Sequence, residues 1–177
     1  MSTHMRTVVP RDGRRRILLS TVSSDSHTWN LVFLQLLLQE MGNEVVNLGP
    51  CVPDQLLIDS VRRIRPDAVV ISTVNGHGRL DGARMIRTLR ADPVAGETPV
   101  IIGGKLGITG DTGDRAAQEL IDAGFDAVFT DTADPSLVSR LLGALPGGSP
   151  QAALSLPSER GAEARPEPRR ATEGRAL

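Results

Sequence analysis

Short apolar runs alternate with longer stretches of helical character from Arg16 to Leu145, and no other feature of the chain constrains its fold as much. The apolar runs are Arg16 to Ser20, Glu44 to Leu48, Asp67 to Ser72, Val100 to Gly103 and Ala127 to Thr130. Between and after them the sequence predicts helices over Trp29 to Met41, Pro53 to Arg65, Asp81 to Ala91, Thr112 to Ala123 and Pro135 to Leu145. Gly42 and Gly124 suit helix C-termini, where a left-handed residue ends the turn. Pro53 suits a first helical turn, whose N–H has no partner anyway.

Five strands alternating with helices imply an α/β fold: a parallel sheet covered by helices on both faces. Right-handed crossovers leave few ways to connect it, and the expected one is the flavodoxin-like (Rossmann-like) order 2-1-3-4-5. The flanks do not continue the pattern. Residues 1–14 read as a disordered lead-in and residues 146–177 as a disordered tail, leaving 15–145 as one domain. The tail is rich in Pro, Gly, Ala, Glu and Arg and holds too little apolar area to offset the entropy of ordering. A partner-binding tail is the alternative.

Composition removes several classes of function. A net charge of −1 gives no general attraction to nucleic acid or to anionic membranes. A single Cys excludes an internal disulfide framework and a Cys-rich metal site. No apolar run approaches the roughly 20 residues of a membrane-spanning helix, and no signal peptide is evident, so a cytoplasmic enzyme or binding module is expected.

In an open parallel sheet of this order, ligands bind beyond the C-terminal strand ends, between strands one and three. Three loops rich in small and polar residues converge there. The first runs from Ser23 to Asn30, the second from Ser72 to Gly78 and the third from Gly103 to Gly107. Asp25 and His27 are close enough for the carboxylate to hold the imidazole Nδ1–H, which frees Nε2 as a ligand or base. The alternative is that Asp25 caps the next helix and His27 is a solvated bystander. Gly103 and Gly104 allow close backbone approach to a large ligand, or form a simple turn. Ser72 points into the crevice or satisfies the backbone. His77, between two glycines, reads as a mobile exposed side chain, and Cys51 as a small semi-buried hydrophobe. Lys105 meets an anion or lies on the surface.

Two occupants of such a fold can be weighed. A phosphoreceiver domain needs an Asp after strand three and a Lys after strand five, but Ser72 ends the third strand and Thr130-Asp131 follows the fifth. A flavin site would use Ser23, Ser24, Ser26 and Thr28 as a phosphate nest. Aromatic partners for the flavin ring are nearly absent, with one Trp and no Tyr.

Asp25-x-His27, Ser72-x-Val74 and Gly103-Gly104 together resemble the D-x-H-x-x-G, S-x-L and G-G signature of cobalamin-binding domains. Within that family the chain looks most like the small subunits of glutamate mutase (methylaspartate mutase). The similarity lies in Ser24-Asp25-x-His27, in Val45 to Gly49 and in Ser72 to Gly78, and spans roughly Arg16 to Leu142. Two departures stand out: Asn30 replaces the last Gly of the first motif, and Val74 replaces Leu. Asn30 adds a side chain near the nucleotide tail, which it can hydrogen-bond or which a backbone shift must accommodate.

The resemblance implies base-off binding of adenosylcobalamin, with His27 as the axial cobalt ligand and Asp25 holding its Nδ1–H. Ser72 would meet the displaced benzimidazole. Ser24, Ser26, Thr28, Asn30, Thr73, Val74, Gly103 and Gly104 would line the cofactor, with Lys105, Leu106 and Gly107 following along the nucleotide. It also implies the radical rearrangement of L-glutamate to (2S,3S)-3-methylaspartate, with no catalytic residue in this chain beyond the cofactor ligand. A (β/α)8 barrel of about 250 residues cannot fit here, so a large barrel subunit, in a heterotetramer, would bind glutamate.

The first helix carries apolar residues on two sides: Trp29, Val32, Phe33, Leu36 and Leu37 on one arc, Leu31, Leu34 and Leu38 on the other. The excess face is either a subunit contact or is buried beneath neighbouring helices. The rival readings are a corrinoid methyl carrier, expected to have a helical bundle before the domain, and a flavodoxin-like FMN-binding protein.

Overall fold

The computed structural model describes residues 14–107 and 113–130. They form β1 (Arg16–Thr21), α1 (Trp29–Glu40), β2 (Glu44–Asn47), α2 (Asp54–Ile64), β3 (Ala68–Thr73), α3 (Gly78–Arg90), β4 (Val100–Gly104), α4 (Gly113–Ala123) and β5 (Ala127–Thr130). All strand pairs are parallel and the order is β2-β1-β3-β4-β5, as the alternation predicts. The expected helix over Pro135 to Leu145, the lead-in up to residue 13 and the tail lie outside the described residues.

The strand composition follows from burial. β3 is buried at every position and β1 at all but its first, so both faces demand apolar or self-satisfied side chains. β2 and β5 are edge strands and are only partly buried. Because strand side chains alternate, the sheet divides the core in two. Leu18, Val69, Ile71, Val100 and Ile102 pack with Leu57, Ile58 and Val61 of α2, Ile86 and Leu89 of α3 and Leu120 of α4. Ile17, Leu19, Ala68, Val70 and Ile101 face the other way, toward Leu31 and Leu38 of α1.

The same alternation places the functional loops. Thr21, Ser72 and Gly103 are register neighbours across β1, β3 and β4. They continue the α1 side of the sheet, with small side chains where the residues below are large. These small side chains mark the C-terminal strand ends under the start of α1 as the place for a ligand recess.

One helix start departs from the sequence reading. α3 begins at Gly78, three residues before the expected Asp81. Gly78 reads as a loop residue but is required by packing: a Cβ there would lie 2.4 Å from Thr73 Cγ2.

Candidate functional site

Asp25 organises the site. Its side chain is fully buried, in the loop after β1. Oδ1 accepts from the His27 backbone N–H at 3.0 Å and pairs with His27 Nδ1 at 2.7 Å. Oδ2 accepts from the Val74 N–H at 2.6 Å. Burial pushes this carboxyl up, but the hydrogen bonds from Val74 and His27 outweigh it and hold it below its ordinary value. A carboxylate facing Nδ1 makes that nitrogen the donor and leaves the Nε2 lone pair free. The His27 side chain is 46% exposed, and Nε2 has no partner among the described residues.

The helix-cap alternative for Asp25 is excluded, because Thr28 occupies the N-cap of α1 and no side chain caps it. His27 is tied to the loop through Asp25, by its backbone N–H and by Nδ1. Thr21, which the sequence reading passed over, fixes the loop. Its hydroxyl donates to the Asp25 carbonyl at 3.0 Å and accepts from the Cys51 N–H at 3.0 Å. The Cys51 N–H also reaches the Asp25 carbonyl at 2.9 Å, tying the loop after β2 to the loop after β1. The only hint of this role in sequence is a hydroxyl at the end of an apolar strand. Cys51 itself is exposed rather than semi-buried, because its backbone takes a left-handed φ of 53° that turns it outward at the bend.

Ser72 does not satisfy backbone. Its hydroxyl accepts from Asn30 Nδ2 at 2.6 Å, and both side chains are buried. Asn30 Oδ1 is buried without a hydrogen-bond partner. An unmet acceptor of this kind costs about 1–3 kcal/mol, so the recess suits a ligand that carries donors. That fits the hydroxyl-bearing nucleotide tail of a cobalamin, as the Asp25–His27 pair fits its metal. The described residues hold no cluster of three or more His, Cys, Asp or Glu side chains able to ligate an ion by themselves. One free imidazole suits a metal that brings its other ligands with it.

The glycine pair serves the sheet directly. Gly104 has φ +108°, and a Cβ there would lie 2.0 Å from the Thr73 carbonyl. A Cβ on Gly103 would lie 3.2 Å from Phe129 Cβ of β5. The pair keeps the recess floor flat and lets β4 turn sharply, with the Lys105 N–H donating to the Thr73 carbonyl at 2.8 Å.

The other expected residues divide. Ser26, Thr28, Lys105 and Gly107 are exposed around the mouth, and Val74 is half-buried beside Asp25. Ser24 is drawn away toward α3, donating to Asp81 and accepting from Asn75 Nδ2 at 3.0 Å. Arg84 completes that tie through Ser23, Asp54 and Asp81. Thr73 and Leu106 face the α2–α4 layer, where both pack near Gly78. Their side chains are part of the core rather than of the recess. His77 is exposed at the start of α3, as expected.

Fold and geometry together define a doubly wound α/β domain with an Asp25–His27 pair and a candidate ligand site at its topological switch point. The profile of the B12 binding domain matches residues 15–135, and the chain belongs to that family. Its ligand class is therefore cobalamin rather than a flavin. The chain is 26% identical to the glutamate mutase sigma subunit of Fusobacterium nucleatum over 66% of its own length and 85% of that relative's. It is 30% identical to the glutamate mutase sigma subunit of Halobacterium salinarum, over 64% of this chain and 75% of that one. Among solved structures it is similar to a cobalamin-binding protein from Desulfitobacterium hafniense, with a TM-score of 0.54 and 27% identity, covering 66% of this chain and 52% of the other.

Proposed function

We propose that the chain is the cobalamin-binding small subunit of an adenosylcobalamin-dependent glutamate mutase, working with a large (β/α)8-barrel subunit in a cytoplasmic heterotetramer. The observation that carries this reading is the buried Asp25 carboxylate holding His27 Nδ1 at 2.7 Å with Nε2 turned free, in a chain whose curated relatives are glutamate mutase sigma subunits. His27 Nε2 would hold the cobalt of the cofactor. Asp25 keeps the proton on Nδ1 and raises the basicity of the ligand nitrogen. Ser72 and Asn30 would hold the lower nucleotide, with Val74, the Gly103-Gly104 backbone and Lys105 to Gly107 as its further neighbours. When bound, the cofactor supplies a weak carbon–cobalt bond whose homolysis starts the carbon-skeleton rearrangement. The chain's own contribution is to hold the ligand nitrogen, bury the tail and present the cofactor to the partner, which binds L-glutamate. Residues 15–145 make up this domain, flanked by the lead-in and the tail.

The test is turnover. With adenosylcobalamin and a glutamate mutase large subunit, the chain converts L-glutamate to 3-methylaspartate, and neither protein does so alone. Absence of turnover with a competent large subunit and bound cofactor contradicts the proposal.

A further inference from the structure

We propose that Asn30 is a positioning residue for the lower nucleotide of the cofactor, acting with Ser72 as a paired donor and acceptor; this rests on the cobalamin reading of the site. Asn30 is the second residue of α1 and is 4% exposed. A carboxamide so deeply buried is costly unless both its ends are paired. One end is: Nδ2 donates to Ser72 Oγ at 2.6 Å. The other is not: Oδ1 has no partner.

The chemistry of the hydroxyl completes the pair. Ser72 Oγ carries one hydrogen and two lone pairs. Asn30 engages a lone pair, and among the described residues the Ser72 hydrogen is donated to no protein group. Ser72 therefore offers an O–H donor and Asn30 offers a carbonyl acceptor, from the end of β3 and the start of α1. Ser72 is the register neighbour of Thr21 and Gly103 at the C-terminal strand ends, where small side chains leave room for a ligand. A buried donor and acceptor side by side match a heteroaromatic nitrogen and a ribose hydroxyl, two of the polar groups that a nucleotide carries. Asn30 thus fixes the Ser72 hydroxyl, which would otherwise rotate, with its hydrogen available to the base.

The experiment compares two corrinoids on the full chain: cobalamin, and cobinamide, which has the corrin but no lower nucleotide. Affinities are read from visible absorption titrations of wild type, Asn30→Ala, Ser72→Ala and the double variant. Asn30→Ala is expected to weaken cobalamin about tenfold, the size of one buried hydrogen bond, and to leave cobinamide within about twofold. The double variant is expected to lose little more than either single one, because the two side chains act as a unit. Equal losses on both corrinoids, no loss on either, or tighter cobalamin binding by Asn30→Ala would each overturn the inference; the last would make Asn30 an obstruction. If Asn30→Ala does not fold, Asn30→Ser gives the same comparison. Wild type that binds neither corrinoid contradicts the cobalamin reading itself, and this inference with it.

Discussion

A carboxylate with no exposed surface survives only where its lone pairs are filled, and Asp25 is filled from three directions: a backbone N–H two residues on, an imidazole, and a backbone N–H from another strand's loop. Asp92 shows the same physics away from the site. Arg62 donates to it, and so do the N–H groups of Ala95 and Val94, which together hold its carboxyl down to about 2. A carboxyl lowered on folding stabilises the folded state above its unfolded value and stops doing so as pH falls through its folded one. The stability contributed by Asp92 is therefore complete above about pH 4 and lost toward pH 2. Thermal melts of Asp92→Asn should lose less stability than wild type across that window; parallel curves would show that Asp92 contributes nothing there. At this scale the sequence was readable where partners are close along the chain. The Asp25–His27 spacing announced its own hydrogen bond. The Val74 N–H, the Thr21 hydroxyl and the outward turn of Cys51 were not legible, because each depends on a neighbour brought in by another strand. Thr73 and Leu106 were read by proximity to a motif, whereas strand alternation and packing turn them into the core.

Among the elements, α1 departs furthest from a helix that merely covers a sheet. Leu31 and Leu38 are buried on the strands, yet Trp29, Val32, Phe33 and Leu36 are 64%, 55%, 55% and 57% exposed. None of the described helices covers these four. Leu37, counted with them in the sequence, is half-buried. The four sit at i, i+3, i+4 and i+7, one continuous stripe, and the stripe starts two residues after His27. An apolar stripe continuous with the cofactor mouth fits the large subunit that would close over it. Replacing Phe33 and Leu36 together with Asp should weaken association with that subunit at least about tenfold and, as an exposed substitution, shift the melting of the isolated chain little. Unchanged association would remove α1 from the interface. The strands and most helix ends were legible because apolar runs and Gly or Pro boundaries are local signals. The start of α3 was not, because Gly78 serves a contact with β3 that sequence spacing does not reveal.

For the whole molecule, topology locates the site. β1 and β3 are sequence-distant neighbours at the centre of the sheet, so their following loops meet, and a carboxylate from one takes an N–H from the other. The order 2-1-3-4-5 was readable because alternation and right-handed crossovers leave so few alternatives. The Asn30–Ser72 pair was not, since its two members come together only when α1 is laid across β3. No described helix is long and apolar enough to cross a membrane. In the proposed function, His27 presents its free Nε2 to cobalt. The most direct test is the electron paramagnetic resonance spectrum of cob(II)alamin mixed with the full chain and its large subunit, with and without ¹⁵N-labelled histidine in this chain. Ligation by His27 predicts nitrogen superhyperfine splitting that changes with the label, and in His27→Ala no splitting that responds to the label. A splitting of the wild type indifferent to the label, or a label-sensitive splitting retained by His27→Ala, would contradict it.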